Sequence, residues 1–131
     1  MLINWKWVSV LSIAAALAAC GGGGDTTARG AIAVNTSNGY GAIVVNYTSQ
    51  PEANSDVVDK CADDSGAGCA VVLEFSGNGT CGSAAWASGN GVWGVGSAGS
   101  KEVADSRALS QCIAKGGVSC EIPPWLETQC N

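Results

Sequence analysis

Two stretches decide the fold: Cys61-Ala-Asp-Asp-Ser-Gly-Ala-Gly-Cys69 and Cys112-Ile-Ala-Lys-Gly-Gly-Val-Ser-Cys120. Each holds two cysteines at the same spacing, and each cysteine of the first lies 51 residues before its counterpart in the second. The same offset relates Ser49 to Ser100, Ala53 to Ala104, Val57 to Ala108 and Val58 to Leu109. An offset of 52 relates Gly30 to Gly82, Ala33 to Ala85, Asn38 to Asn90 and Gly39 to Gly91. Two copies of one supersecondary unit explain this better than chance does.

Each copy reads the same way. In the first, strands over 31–35 and 41–47 flank Asn38-Gly39. In the second, strands over 83–88 and 92–96 flank Asn90-Gly91. Asn-Gly is a strong hairpin signal, because a two-residue turn needs positive φ at both positions. Ser49 and Ser100 then cap helices, and Ser49-Gln50-Pro51-Glu52 has the spacing of a capping box with proline in the first turn. Ala53, Val57 and Cys61 fall on one helix face, as do Ala104, Ala108 and Cys112. A strand follows Cys69, whereas Pro123-Pro124 cuts short the one after Cys120. The reading is α+β, two tandem β-β-α-β repeats with antiparallel hairpins.

Six cysteines outside the N-terminal segment, at 61, 69, 81, 112, 120 and 130, imply a disulfide framework in an exported domain. Zinc is the alternative, but histidine is absent and no pair has C-x2-C spacing. Repeat symmetry pairs Cys61 with Cys69 and Cys112 with Cys120, which leaves Cys81 for Cys130.

The first 19 residues read as a bacterial lipoprotein signal peptide. Lys6 precedes an apolar run too short to cross a bilayer, which takes roughly 20 apolar residues. The run ends in Leu17-Ala18-Ala19-Cys20, similar to a lipobox, with Cys20 as the lipidated residue. An ordinary signal peptide beside a buried cysteine is the plainer reading. Gly21 to Gly24 would make a poor start to a domain, which favours the lipobox. Residues 20–29 then form a lipidated cysteine and flexible tether, its nine tether residues spanning about 15–18 Å as a coil. Residues 30–131 form a single domain. By resemblance to Gram-negative lipoproteins, Gly21 favours the outer over the inner membrane. Several acyl chains on Cys20 give stable anchoring.

Composition narrows the chemistry. The chain has 131 residues, no histidine and a formal charge of −5, so it lacks both the commonest general base and a basic footprint for nucleic acid. No serine or cysteine has a histidine to activate it. Glu74 and Glu121 are not equivalent in the repeat and suggest no acid–base pair. Asp63-Asp64-Ser65-Gly66 offers too few oxygens for calcium and reads as a polar turn. Asn35-Thr36-Ser37, Asn46-Tyr47-Thr48 and Asn78-Gly79-Thr80 match the glycosylation pattern by coincidence. We therefore expect no enzyme, no cofactor, no metal and no nucleic acid.

Gly30-Ala31-Ile32-Ala33-Val34, the two cysteine pairs, Cys81-Gly82, Trp93-Gly94 and Cys130-Asn131 together resemble an exported bacterial family, domain of unknown function 4189. The resemblance covers about residues 30–131. It implies a secreted, disulfide-bonded domain and supplies no catalytic residues. Pro123-Pro124 departs from the strand expected there.

Two surfaces are candidates for binding. Glu52, Asp56, Asp59 and Asp63 are spaced four, three and four apart and form one acidic helix stripe. The stripe is either a solvated face or a docking surface for a basic protein. A two-residue turn at Asn90-Gly91 would set Ser88 opposite Trp93 and Trp86 opposite Val95. Trp86, Trp93 and Val95 then share a face, as do Ile32, Val34, Ile43 and Val45 of the first repeat. These are core-equivalent positions, with an exposed aromatic platform as the rival reading. The opposite face, Ala33, Ala42, Val44, Ala85, Ala87, Gly94 and Gly96, is small enough to admit a close-lying partner or the other half of the domain, and the second is favoured. Trp125, beside the proline pair, is left open between a buried and an offered side chain. The function expected is a non-catalytic lipid-anchored periplasmic binding module. Its sharper form is an inhibitor or immunity-type protein against a basic, cell-wall-directed hydrolase. The alternative is a structural envelope lipoprotein with no specific soluble partner.

Overall fold

The computed structural model describes residues 26–131. The signal segment, Cys20 and residues 21–25 of the tether lie outside the described residues. Each repeat begins with a hairpin: β1 (Arg29–Asn35) with β2 (Gly41–Tyr47), and β4 (Cys81–Ala87) with β5 (Val92–Ala98). Helix α1 (Gln50–Ser65) follows the first and α2 (Lys101–Ala114) the second. The Ser49 hydroxyl accepts from the Glu52 N–H, and that of Ser100 from Val103 N–H, so both serines cap as read. Gly66 ends α1 at φ +80°, a conformation suited to glycine, and returns its N–H to the Ala62 carbonyl.

In the first repeat the chain returns as β3 (Cys69–Ser76), giving a sheet of order β2-β1-β3. In the second it returns in two fragments on the same side of β4. These are β6 (Cys120–Glu121) and β7 (Gln129–Cys130). Cys61–Cys69, Cys112–Cys120 and Cys81–Cys130 are the disulfides, the pairing that symmetry predicts. The first two each tie a helix end to the strand after it. The third clips β7 to the start of β4.

Two corrections concern the hairpins. Val34 faces Gly41 and Ala87 faces Val92, so each turn has a longer loop than two residues and the register shifts by two. Trp86 therefore opposes Trp93, not Val95. Only Gly39 and Gly91 take positive φ, at +73° and +74°; Asn38 and Asn90 do not. A shift of two preserves the faces, because side chains alternate with period two. Ile32, Val34, Ile43, Val45, Trp86, Trp93 and Val95 do share one core, with Phe75, Leu73, Ala84 and Leu126. That core lies between the two sheets.

The small-residue faces meet something other than expected. Ala31, Ala33 and Val44 pack on Ala53, Val57 and Cys61 of α1. Ala85 and Ala87 pack on Ala108 and Cys112 of α2. Each small face is thus covered by the helix of its own repeat, and the halves meet through their large residues. A helix backbone approaches a sheet closely only where side chains are short. A Cβ on Gly94 would sit 2.3 Å from Cys112 N. The order of layers is helix, sheet, sheet, helix.

Candidate functional site

The site grows from the place where the repeats differ. Between equivalent ladder positions, the first repeat has residues 71–74 and the second has residues 122–128, three more. The extra residues leave the sheet as a loop containing Pro123-Pro124-Trp125. Both ends of the loop are held. Before Trp125, Ile122 packs against the α2 core and Pro123 is fully buried; after it, Leu126, 4% exposed, plugs the core between the sheets. Buried Thr128 and Ser83 each donate a hydroxyl to the Asp105 carboxylate, Ser83 at 2.7 Å, with the two hydroxyl oxygens 2.9 Å apart. A carboxylate that accepts two hydroxyls satisfies these buried groups without an ion pair. This cluster latches the loop to β4 and α2.

With both flanks fixed, Trp125 points outward and stays 57% exposed. Its indole N–H donates to the Gly39 carbonyl at 3.2 Å, which ties the loop of the second repeat to the hairpin tip of the first. Gly39 is demanded twice here. It takes φ +73°, and a Cβ would stand 2.8 Å from the Trp86 ring. Trp86 in turn lies against Trp93, ring centroids 4.8 Å apart and tilted by 45°. Trp93 is buried and donates its indole N–H to the Asn35 carbonyl at 3.2 Å. Trp93 is thus core, as read, while half-buried Trp86 spans core and surface.

Tyr40, 47% exposed, completes the wall. Asn38, Gly39, Tyr40, Trp86 and Trp125 line a cleft of about 400 Å³, within the ~300–1,000 Å³ range of small-molecule sites. Among the described residues no charged side chain lines it. Trp125 also lines a second groove of about 420 Å³, bordered by Ile43, Val45, Lys60, Asp64 and Glu127. Glu127 lies 3.7 Å from Lys101, an exposed pair worth little. The hairpin tip is moored to the end of α1, since Asn38 Nδ2 donates to the Ser65 carbonyl at 3.3 Å. The C-terminal turn of α1 therefore stands beside the cleft. It carries Asp63 and Asp64 and no basic residue.

Glu52, Asp56, Asp59 and Asp63 are all exposed on α1, as the stripe reading requires. They do not line the aromatic cleft. Asp56 accepts a 2.7 Å hydrogen bond from the Tyr47 hydroxyl. That bond, with the charges of Asp56 and Glu52 nearby, holds the phenol pKa above its ordinary 10.0. Among the described residues no group of three potential ligands is placed to hold a metal. Tyr40 is not singled out by the sequence, and Asn38 is read there only as a hairpin-turn residue. The one signal that could have pointed to them is the three-residue excess around Pro123-Pro124-Trp125.

A family model described as domain of unknown function, DUF4189, matches residues 30–126. The chain belongs to this family. The DUF4189 match covers the first repeat and the second as far as Leu126, and includes the cleft residues Tyr40, Trp86 and Trp125. No curated protein and no solved structure matches the chain.

Proposed function

We propose that this DUF4189 protein is a non-catalytic binding module, lipid-anchored through Cys20 in the bacterial envelope and facing the periplasm, that captures a basic protein. A cell-wall-directed hydrolase held by an inhibitor or immunity-type protein is the sharper form. The observation that carries the reading is Trp125. A large indole is kept exposed between two clefts, on a loop fixed at both ends, with an acidic helix end beside it. Rigid aromatic anchors of this kind dominate the energetics of protein interfaces. The chain charge of −5 and the stripe of Glu52, Asp56, Asp59 and Asp63 would speed encounter with a cation-rich partner more than they deepen affinity.

The test is capture from envelope and secreted fractions with the full oxidised chain in mild detergent. Two baits run alongside, Trp125→Ala and the triple variant E52K/D56K/D59K. The expected result is a basic protein retained by the wild type, reduced by both variants and released by salt. If the three baits retain the same proteins, or none retains any, the structural envelope reading takes its place.

A further inference from the structure

We propose that the Tyr40–Trp86–Trp125 cleft is an arginine receptor, into which one guanidinium of a basic polypeptide inserts. This deepens the proposed function and rests on it. Three aromatic side chains converge from the first hairpin, from β4 and from the 122–128 loop. Aromatic faces are the negative pole of the ring quadrupole and attract cations. The surroundings have the matching sign. Asp63 and Asp64 sit in the last turn of α1, where the helix dipole is also negative. Asp64 and Glu127 line the second groove that Trp125 borders, where Lys60 is the one cation among the described lining residues.

The hydrogen-bonding groups fit a donor-only ligand. The residues that line the cleft carry acceptors: the Gly39 carbonyl, the Asn38 amide oxygen and the Tyr40 hydroxyl. The first accepts one bond from Trp125 and the second one from Tyr40 N–H, which leaves each a further lone pair. A guanidinium has five donors around a flat face, so it stacks and bonds at once, which an ammonium does not. A nucleobase would use the same stacking faces. Its phosphates, however, would meet carboxylates.

The experiment follows the indole N–H signals of the full oxidised chain in detergent by NMR. The probes are acetyl-Gly-Gly-Arg-Gly-Gly-amide, its lysine and proline counterparts, and chitotetraose. The arginine peptide is expected to shift the Trp86 and Trp125 signals saturably and to bind more tightly than the lysine peptide. Trp125→Ala is expected to weaken it about tenfold and Trp125→Phe less. Asp63→Asn with Asp64→Asn is expected to weaken it about threefold and flatten its salt dependence. Unchanged amide signals in the core between the sheets establish that each variant is folded. Four results would overturn the proposal. They are no saturable shift, indifference to Trp125→Ala, lysine binding as well as arginine, or the proline peptide or chitotetraose binding in its place. If capture of a basic protein persists while the arginine peptide fails, the binding-module reading stands and the arginine assignment falls.

Discussion

The two repeats share a plan and differ at one strand. In the first, β3 runs unbroken along β1 from Cys69 to Ser76. In the second, the same lane along β4 is filled by β6, a loop and β7. Near the end of the lane the first repeat places Phe75 and the second Gln129, paired with the equivalent glycines Gly30 and Gly82. The Phe75 ring lies against both glycines, since a Cβ on either would come within 2.3 Å of it. The ring thus sits where the repeats meet. Two rings cannot occupy that point, so one copy had to give it up. The copy that did so is the copy whose returning strand breaks and carries Trp125. A duplicated scaffold supplies the core, and its departure from symmetry supplies the site.

The largest expected effect breaks that comparison directly. Phe75 is 4% exposed, so Phe75→Ala should cost about 3–5 kcal/mol in denaturant unfolding. Gln129→Ala, whose amide reaches only the nearby Glu127 carbonyl, should stay within about 0.5 kcal/mol. Equal costs would mean that Phe75 does not occupy a unique position. A double variant sharpens the point. Gly82→Ala should be harsh in the wild type and milder with Phe75→Ala, because the clashing ring is gone.

A smaller effect concerns how closely each helix lies on its sheet. Gly94 and Gly96 of β5 stand where β2 has Ala42 and Val44. A Cβ on Gly94 would meet backbone atoms of α2, Cys112 N at 2.3 Å and Ala108 O at 2.4 Å, and backbone does not rotate aside. Gly94→Ala should therefore cost about 1–3 kcal/mol by overpacking. The reciprocal change, Ala42→Gly, should cost about 0.5–1 kcal/mol through chain entropy alone. Thermal or denaturant melts of the two variants decide it. A harmless Gly94→Ala would mean that α2 sits no closer to its sheet than α1 does.

Most of the scaffold was legible because it rests on local or symmetric signals. Serine caps, alternating faces and cysteine spacing each act within a few residues or repeat exactly once. The hairpin register was misread because Asn38-Gly39 and Asn90-Gly91 sit at the end of a longer turn and only their glycines need positive φ. Period-two alternation rescued the faces despite that. The partner of the small faces was misassigned because a row of Ala and Gly states how near a neighbour comes, not which neighbour. Of the cleft, the sequence left Trp86 and Trp125 open between core and surface, but their meeting with Tyr40 was not legible. Tyr40, Trp86 and Trp125 are far apart in sequence and meet only because Leu126 and the Thr128–Ser83–Asp105 cluster fix the loop.

The smallest expected effect tests how each hairpin is tied to its helix. In the first repeat Tyr47 Oη donates to Asp56 on α1. The equivalent positions in the second are Gly99 and Arg107, and there Arg107 Nη1 donates to the Ser97 carbonyl at 2.6 Å. The first tie rests on a phenol, an acid that titrates at high pH. Bonding to Asp56 raises the Tyr47 pKa in the folded chain above the unfolded value of 10.0. The folded state therefore favours the protonated phenol. Its contribution is fully present below pH 10.0 and is lost as pH rises through the higher folded pKa. Phenolate absorbance should place the Tyr47 midpoint above 10.0, and Asp56→Asn should bring it down. Tyr47→Phe should flatten the alkaline fall in stability that the wild type shows above that pH. A Tyr47 midpoint at 10.0 that ignores Asp56→Asn would mean that this hydrogen bond does not hold the first hairpin to its helix in solution.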